Sequence, residues 1–124
     1  MTHEKVALIF GGARGIGAAI AVRLAREGYR VAVTWVSRPD RADVLVSSIT
    51  DAGGQALAIN ADSADAVAIQ AAVDATIAHY GRLDVAVVNA GVLRLGTLED
   101  YRLEDLDATL SVNVRGVFLS IQAA

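Results

Sequence analysis

Short continuous apolar runs alternate along this chain with longer stretches whose apolar residues recur at helical spacing. Val6-Ala7-Leu8-Ile9-Phe10 is such a run, as expected of a strand covered on both faces. A helix to about Glu27 follows, with Ile16, Ile20 and Leu24 spaced by four on one face. Arg23, Arg26 and Glu27 fall on its wet side, and Gly28 suits its C-terminal turn. Val31 to Trp35 is predicted as a second strand, Ser37-Arg38-Pro39-Asp40 as a loop, and a second helix runs to Ala52 before Gly53-Gly54. Ala56 to Asn60 reads as a third strand. The next helix carries Ile69, Val73, Ile77 and Tyr80 on one stripe and stops near Gly81. Val85 to Val88 is the fourth strand, entering a turn at Asn89-Ala90-Gly91. Strand and helix in strict alternation predict an α/β domain with a parallel sheet and helical crossovers.

The last segment, about Leu103 to Ala124, predicts one long helix with two apolar sides. At roughly 100° per residue, Leu106, Leu110, Val114, Val117 and Ile121 form one stripe. Ala108, Val112, Leu119 and Ala123 form a second, nearly opposite. A helix apolar on two sides must bury both. One side can meet the sheet; the other calls for another helix or another subunit, and a homo-oligomer through residues 103–124 is expected.

Composition narrows the functional classes. The chain has 124 residues, 54% of them hydrophobic, which is enough for one buried core. Formal net charge is −3 and no basic block occurs, so nucleic acid is not an expected partner. Cysteine is absent, which removes disulfides, thiolate nucleophiles and thiolate-bound zinc. The two histidines, His3 and His79, are far apart; His3 is expected to be terminal and solvated, His79 on a helix surface, and no metal site is expected. No basic-then-apolar leader opens the chain, and no apolar run approaches the ~18 residues of a membrane span. A soluble cytoplasmic protein is the expectation.

The strongest local signal is Gly11-Gly12-Ala13-Arg14-Gly15-Ile16-Gly17, between the first strand and the first helix. Glycine lets the backbone turn tightly and approach a ligand with no Cβ in the way. The helix N-terminus behind the loop offers unbonded N–H groups and a positive dipole end, which suit a pyrophosphate. A tight turn with no ligand is the plain alternative.

The spacing Gly11-x-x-x-Gly15-x-Gly17 resembles the loop of the short-chain dehydrogenase/reductase family, T-G-x-x-x-G-x-G, with Phe10 where that family usually has Thr. The resemblance spans the chain. Asp62, after the third strand, matches the acidic residue that reaches the adenine amino group in that family. Asn89-Ala90-Gly91 matches its N-A-G turn, and Asn113-Val114-Arg115-Gly116 the segment whose Asn belongs to a catalytic tetrad. The resemblance implies a Rossmann-type doubly wound sheet, strand order 3-2-1-4, with ligand bound where that order reverses between strands one and four. It implies hydride transfer between a nicotinamide dinucleotide and a small carbonyl or alcohol substrate. The expected cofactor-binding residues are Gly11, Gly12, Ala13, Arg14, Gly15, Ile16, Gly17, Ser37, Arg38, Asp62, Ser63, Asn89, Ala90 and Gly91; Asn113 is the expected catalytic residue.

NAD enzymes commonly end the second strand on a carboxylate that holds the ribose 2′-OH. Here Trp35 stands at that place and no carboxylate comes before Asp40, while Arg14 and Arg38 are available for a 2′-phosphate. NADP(H) is preferred and NAD(H) left open. Both arginines could instead be ordinary surface charges. Asp62 or Ser63 also suits the cap of the third helix, with Asp65 in its first turn. Asn113 sits at the border of the main stripe and is expected to point inward; in the family its partner is a water leading towards the catalytic Lys.

The family's Tyr-x-x-x-Lys does not occur in these residues. Lys5 is the single lysine, and Tyr29, Tyr80 and Tyr101 are followed at the +4 position by Val33, Asp84 and Asp105. Lysine matters because an unperturbed phenol, with pKa ~10, is a poor base near neutrality. The expectation is a cofactor-binding half, truncated after the fourth strand and the long helix, inactive alone and with an exposed fourth-strand edge. A non-catalytic nucleotide-binding module is the alternative, and a product without stable function a third reading.

Overall fold

A computed structural model describes residues 4–124, so the expectation for His3 lies outside the described residues. Four parallel strands, β1 (Val6–Phe10), β2 (Arg30–Trp35), β3 (Ala56–Asn60) and β4 (Val85–Val88), lie in the order β3-β2-β1-β4. Parallel neighbours cannot be joined by a two-residue turn, and helices α1 (Gly15–Arg26), α2 (Pro39–Asp51) and α3 (Ala66–Tyr80) make the crossovers. β1 is central and wholly buried. Its Ala7 and Ile9 meet Ala21 of α1 and Leu45 and Ile49 of α2; Leu8 and Phe10 meet Ile69 and Val73 of α3 on the other face. Fully burying a Leu, Ile or Phe stabilises by about 1.5–3 kcal/mol, so this five-residue strand is the densest stretch of core.

The helices correct several sequence-level details. Ile16 does not join Ile20 and Leu24 on the core side; it is 75% exposed, and the small residues Gly17 and Ala21 turn inward instead. A Cβ on Gly17 would overlap the Gly11 carbonyl oxygen, so the first turn of α1 sits against the loop too closely for a larger residue. At its other end, the amides of Gly28 and Tyr29 return to the carbonyls of Ala25 and Leu24, the double bond of a glycine-stopped helix. The expected loop at 37–40 is shorter: Pro39 is already the first residue of α2, where its missing N–H costs nothing. In α3, Ile77 lies towards solvent and the buried place goes to Thr76, whose hydroxyl donates to the Ala72 carbonyl at 2.8 Å. The α3 cap is neither Asp62 nor Ser63. Asp65 takes it, accepting from the amides of Val67 and Ala68.

The C-terminal segment is a rod in three parts: α4 (Leu103–Leu110), a π-helical turn (Ser111–Gly116) and α5 (Val117–Ala123). The wider turn leaves both predicted stripes on their own sides, except that Val117 of the first is partly buried. Leu119 and Ala123, of the second predicted stripe, pack on the α3 side of the sheet, beside buried Gly116 and Ser120. Leu106, Leu110, Val114 and Ile121, of the first, face outward together with Phe118. Among the described residues β4 pairs only with β1, and no helix is long and apolar enough to cross a membrane. The described residues also hold no group of three or more His, Asp or Glu side chains that could hold a metal ion.

Candidate functional site

Phe10 ends β1 and Val88 ends β4, side by side in register, and the chain leaves both at the sheet's carboxyl edge. The two connections depart in opposite directions here, which opens a crevice above the strand ends. An open groove of about 770 Å³ occupies it. Gly11, Ala13, Arg14, Gly15 and Ile16 form one wall, Asn89, Ala90 and Gly91 another. Ser37, Arg38, Asp62 and Ser63 close the end beyond β2 and β3. Gly12 and Gly17, also expected at the site, lie behind it. Gly12 is buried over Val33 and Ile9, and Gly17 abuts the loop backbone, so both shape the wall rather than line it.

Local chemistry fixes the loop. Gly11 takes a φ of +72° and Gly15 of +57°, a left-handed backbone that costs side-chain-bearing residues roughly 1–2 kcal/mol. A Cβ on Gly15 would meet nothing within 4 Å; it would project into open space. Phe10 cannot supply the hydroxyl that a Thr there would offer. Thr34, buried on the neighbouring strand β2, does so, its Oγ1 accepting from the Gly11 N–H at 2.8 Å. The Asn89 amide nitrogen crosses from the end of β4 to donate to the carbonyls of Gly11, at 3.0 Å, and Phe10, at 3.4 Å. Asn89 therefore ties the two walls together; it is not an idle turn residue.

The entrance to α1 is built for an anion. Arg14 is the N-cap residue and makes no side-chain cap bond, having no acceptor to offer. The first intrahelical bond runs from the Ala18 N–H to the Arg14 carbonyl, at 3.1 Å. The amides of residues 15–17 precede it and have no partner within the helix. The contrast with α3 is direct: there a carboxylate already satisfies the first turn. Asp62 keeps its carboxylate by the groove through a bond from the Ala64 N–H at 2.9 Å.

At the far end, Trp35, Val36 and Arg41 join the expected Ser37 and Arg38. Arg41 was not singled out from sequence, where it reads as one more exposed charge on a helix; only the turn of α2 reveals that it reaches the groove. Arg38 holds Asp40 through two parallel bonds, Nε to Oδ1 at 3.0 Å and Nη2 to Oδ2 at 2.9 Å. The Arg38 bond lowers the Asp40 carboxyl to about 2, and the same contact raises the guanidinium further. Among the described residues Arg14 and Arg41 make no ion pair.

Asn113 differs from expectation. It is exposed rather than inward, on the π-helical turn, and its partner is the backbone of Val92: Oδ1 accepts from the Val92 N–H at 2.9 Å and Nδ2 donates to its carbonyl at 2.8 Å. It does not line the groove; Val92 does, with Arg94, Ala108 and Val112, none of them anticipated from sequence. The rod also braces the opposite wall. A Cβ on Gly116 would overlap the Ser63 carbonyl, and Arg115 donates to the Ala64 carbonyl at 3.3 Å.

Known proteins share this arrangement. The family model described as short chain dehydrogenase matches residues 5–124. Elsinochrome reductase 1 of Elsinoe fawcettii is 43% identical over 97% of this chain and 45% of its own length. A short-chain dehydrogenase/reductase from Serratia marcescens superposes with a TM-score of 0.94 at 55% identity, over 97% of this chain and 49% of that one. A short chain dehydrogenase from Burkholderia cenocepacia, solved in complex with NADP, gives 0.94 at 52% identity, with the same coverage of 97% and 49%. The chain spans about half the length of the curated relatives it matches. Motif order, strand order and these likenesses agree: the chain belongs to the short-chain dehydrogenase family.

Proposed function

We propose that this chain forms the cofactor-binding part of an NADP(H)-dependent oxidoreductase that interconverts a small carbonyl compound and its alcohol. The observation that carries the reading is the uncapped α1 entrance, floored by Gly11 and Gly15, at the crevice between β1 and β4. A diphosphate fits there because open space replaces a Cβ at Gly15 and unpaired amides face it. Trp35 in place of a carboxylate at the end of β2, with Arg14, Arg38 and Arg41 around the groove, favours a 2′-phosphate over a free 2′-OH. The NADP found in the Burkholderia relative supports the same preference; NAD(H) is the weaker fit.

When bound, the nicotinamide supplies or accepts the hydride. Each wall has its part. Asn89 holds the glycine turn open, Asp62 presents an acceptor for an adenine amino group, and Ser37 and Ser63 add hydroxyls beside the adenosine. Asn113 acts through Val92, fixing the backbone after the N-A-G turn; it is a positioning residue in this reading. The Tyr and Lys of proton transfer are not among these residues. A polypeptide limited to residues 1–124 should bind without turnover. The named relatives are reductases and dehydrogenases, which lends no support to a non-catalytic module. The outward stripe of Leu106, Leu110, Val114 and Ile121 fits a second copy of the chain.

Titration with NADPH, followed by Trp35 fluorescence and thermal shift, tests the reading. Saturable quenching and a raised Tm are expected, with weaker effects from NADH. No response to either dinucleotide would overturn it.

A further inference from the structure

We propose that Asp40 is a specificity-setting residue, an internal rival of the cofactor's 2′-phosphate for the Arg38 guanidinium. The inference rests on the NADP(H) reading and goes beyond it, because it assigns a role to a residue that touches no expected part of the cofactor.

The geometry is that of an arginine already engaged. Nε and Nη2 form the planar fork that suits a carboxylate or phosphate with two parallel bonds, and both tines end on Asp40, at 3.0 and 2.9 Å. The end-on Nη1/Nη2 edge of the guanidinium is left to an incoming phosphate, with a carboxylate charge already seated on the adjoining edge. A 2′-phosphate must displace Asp40 or bind beside it. Both routes weaken its hold. Asp40 thus opposes a dianion while leaving the neutral 2′-OH of NAD(H) unaffected, and it narrows the gap between the two cofactors.

The position supports this role. Arg38 immediately precedes α2 and Asp40 lies in its first turn, next to Pro39 at the helix start. The backbone there is fixed by the helix, so the two side chains stand two residues apart in a constant relation. Neither is buried: their side chains are 53% and 62% exposed, so the pair can open when a better partner arrives. Exposed pairs of this kind are weak, and removing the rival should tighten the phosphate's hold by about two- to fivefold. Arg14 and Arg41, outside any ion pair among the described residues, hold the phosphate in either case.

The test uses the protein produced from its complete gene and compares Kd for NADPH and NADH across wild type, Asp40→Asn, Arg38→Gln and the double variant. Asp40→Asn should tighten NADPH about two- to fivefold and leave NADH unchanged. In the Arg38→Gln background the same substitution should have no effect. Tightening of equal size in both backgrounds would mean general charge repulsion and overturn the rivalry. Weaker NADPH binding in Asp40→Asn would mean that Asp40 orients Arg38 for the phosphate, and would also overturn it. A wild type that binds neither dinucleotide would sink the parent reading instead.

Discussion

Residue by residue, the groove depends on substitutions made elsewhere for what the loop itself lacks. Phe10 brings a large apolar side chain where a hydroxyl would hold the loop, and Thr34 supplies that hydroxyl from the next strand. Thr34→Val keeps the shape and removes the acceptor, stranding the Gly11 N–H; the loss should be about 1–3 kcal/mol. Chemical denaturation should show that loss together with weaker NADPH binding, and Thr34→Ser should restore both. A Thr34→Val protein as stable as wild type would show that the bond is dispensable. The glycine spacing and the absence of a carboxylate at Trp35 were open to sequence reasoning, because both are facts of residue type and order. The Thr34 bond, the Asp40 grip on Arg38 and the reach of Arg41 were not. They depend on where a neighbouring strand or a first helical turn places a side chain, and no linear spacing encodes that.

Elements were legible in proportion to how much of their pattern the core imposes. β1, β3 and β4 fall where the apolar runs put them, since strands buried by parallel pairing leave little choice of register. Helix faces were less legible near their ends: Ile16 and Ile77 keep the apolar period yet face water, because loop contact at Gly17 and the small Thr76 decide which side turns in. Both stripes of the C-terminal rod keep their sides across the π-helical turn, and Asn113, at the border of the stripe that faces outward, turns to Val92 and away from the core. At the opposite edge of the sheet, Asp84 clamps the start of β1. Its Oδ2 accepts from the Val6 N–H at 2.8 Å and from Arg82 Nε, also at 2.8 Å. The Arg82 bond, and after it the Val6 bond, holds the Asp84 carboxyl below its ordinary range. A lowered pKa adds stability that is complete above the unfolded value, ~4, and is lost as pH falls through the folded one. Tm measured across that range should show wild type more stable than Asp84→Asn above pH ~4, with the gap closing in acid. A gap independent of pH would rule out the ion pair as its source.

For the molecule as a whole, the sheet order and its reversal followed from the motifs, and the second apolar side of the rod from its stripes, although which stripe meets the sheet did not. Val114, Phe118 and Ile121 are 60%, 64% and 64% exposed, a contiguous apolar strip with no cover among the described residues. In the second-copy reading, a charge at its centre should disperse the assembly. Sedimentation of Val114→Glu should give half the particle mass of wild type or less; equal masses would refute pairing through this face. The brace between the walls has a kinetic consequence. Asn89 already spans from the end of β4 to the glycine turn, so the receiving surface is set before any dinucleotide arrives. Rapid mixing with NADPH should therefore give a single exponential whose rate climbs linearly with concentration. A plateau would betray a slow rearrangement that this crosslink is in place to make unnecessary.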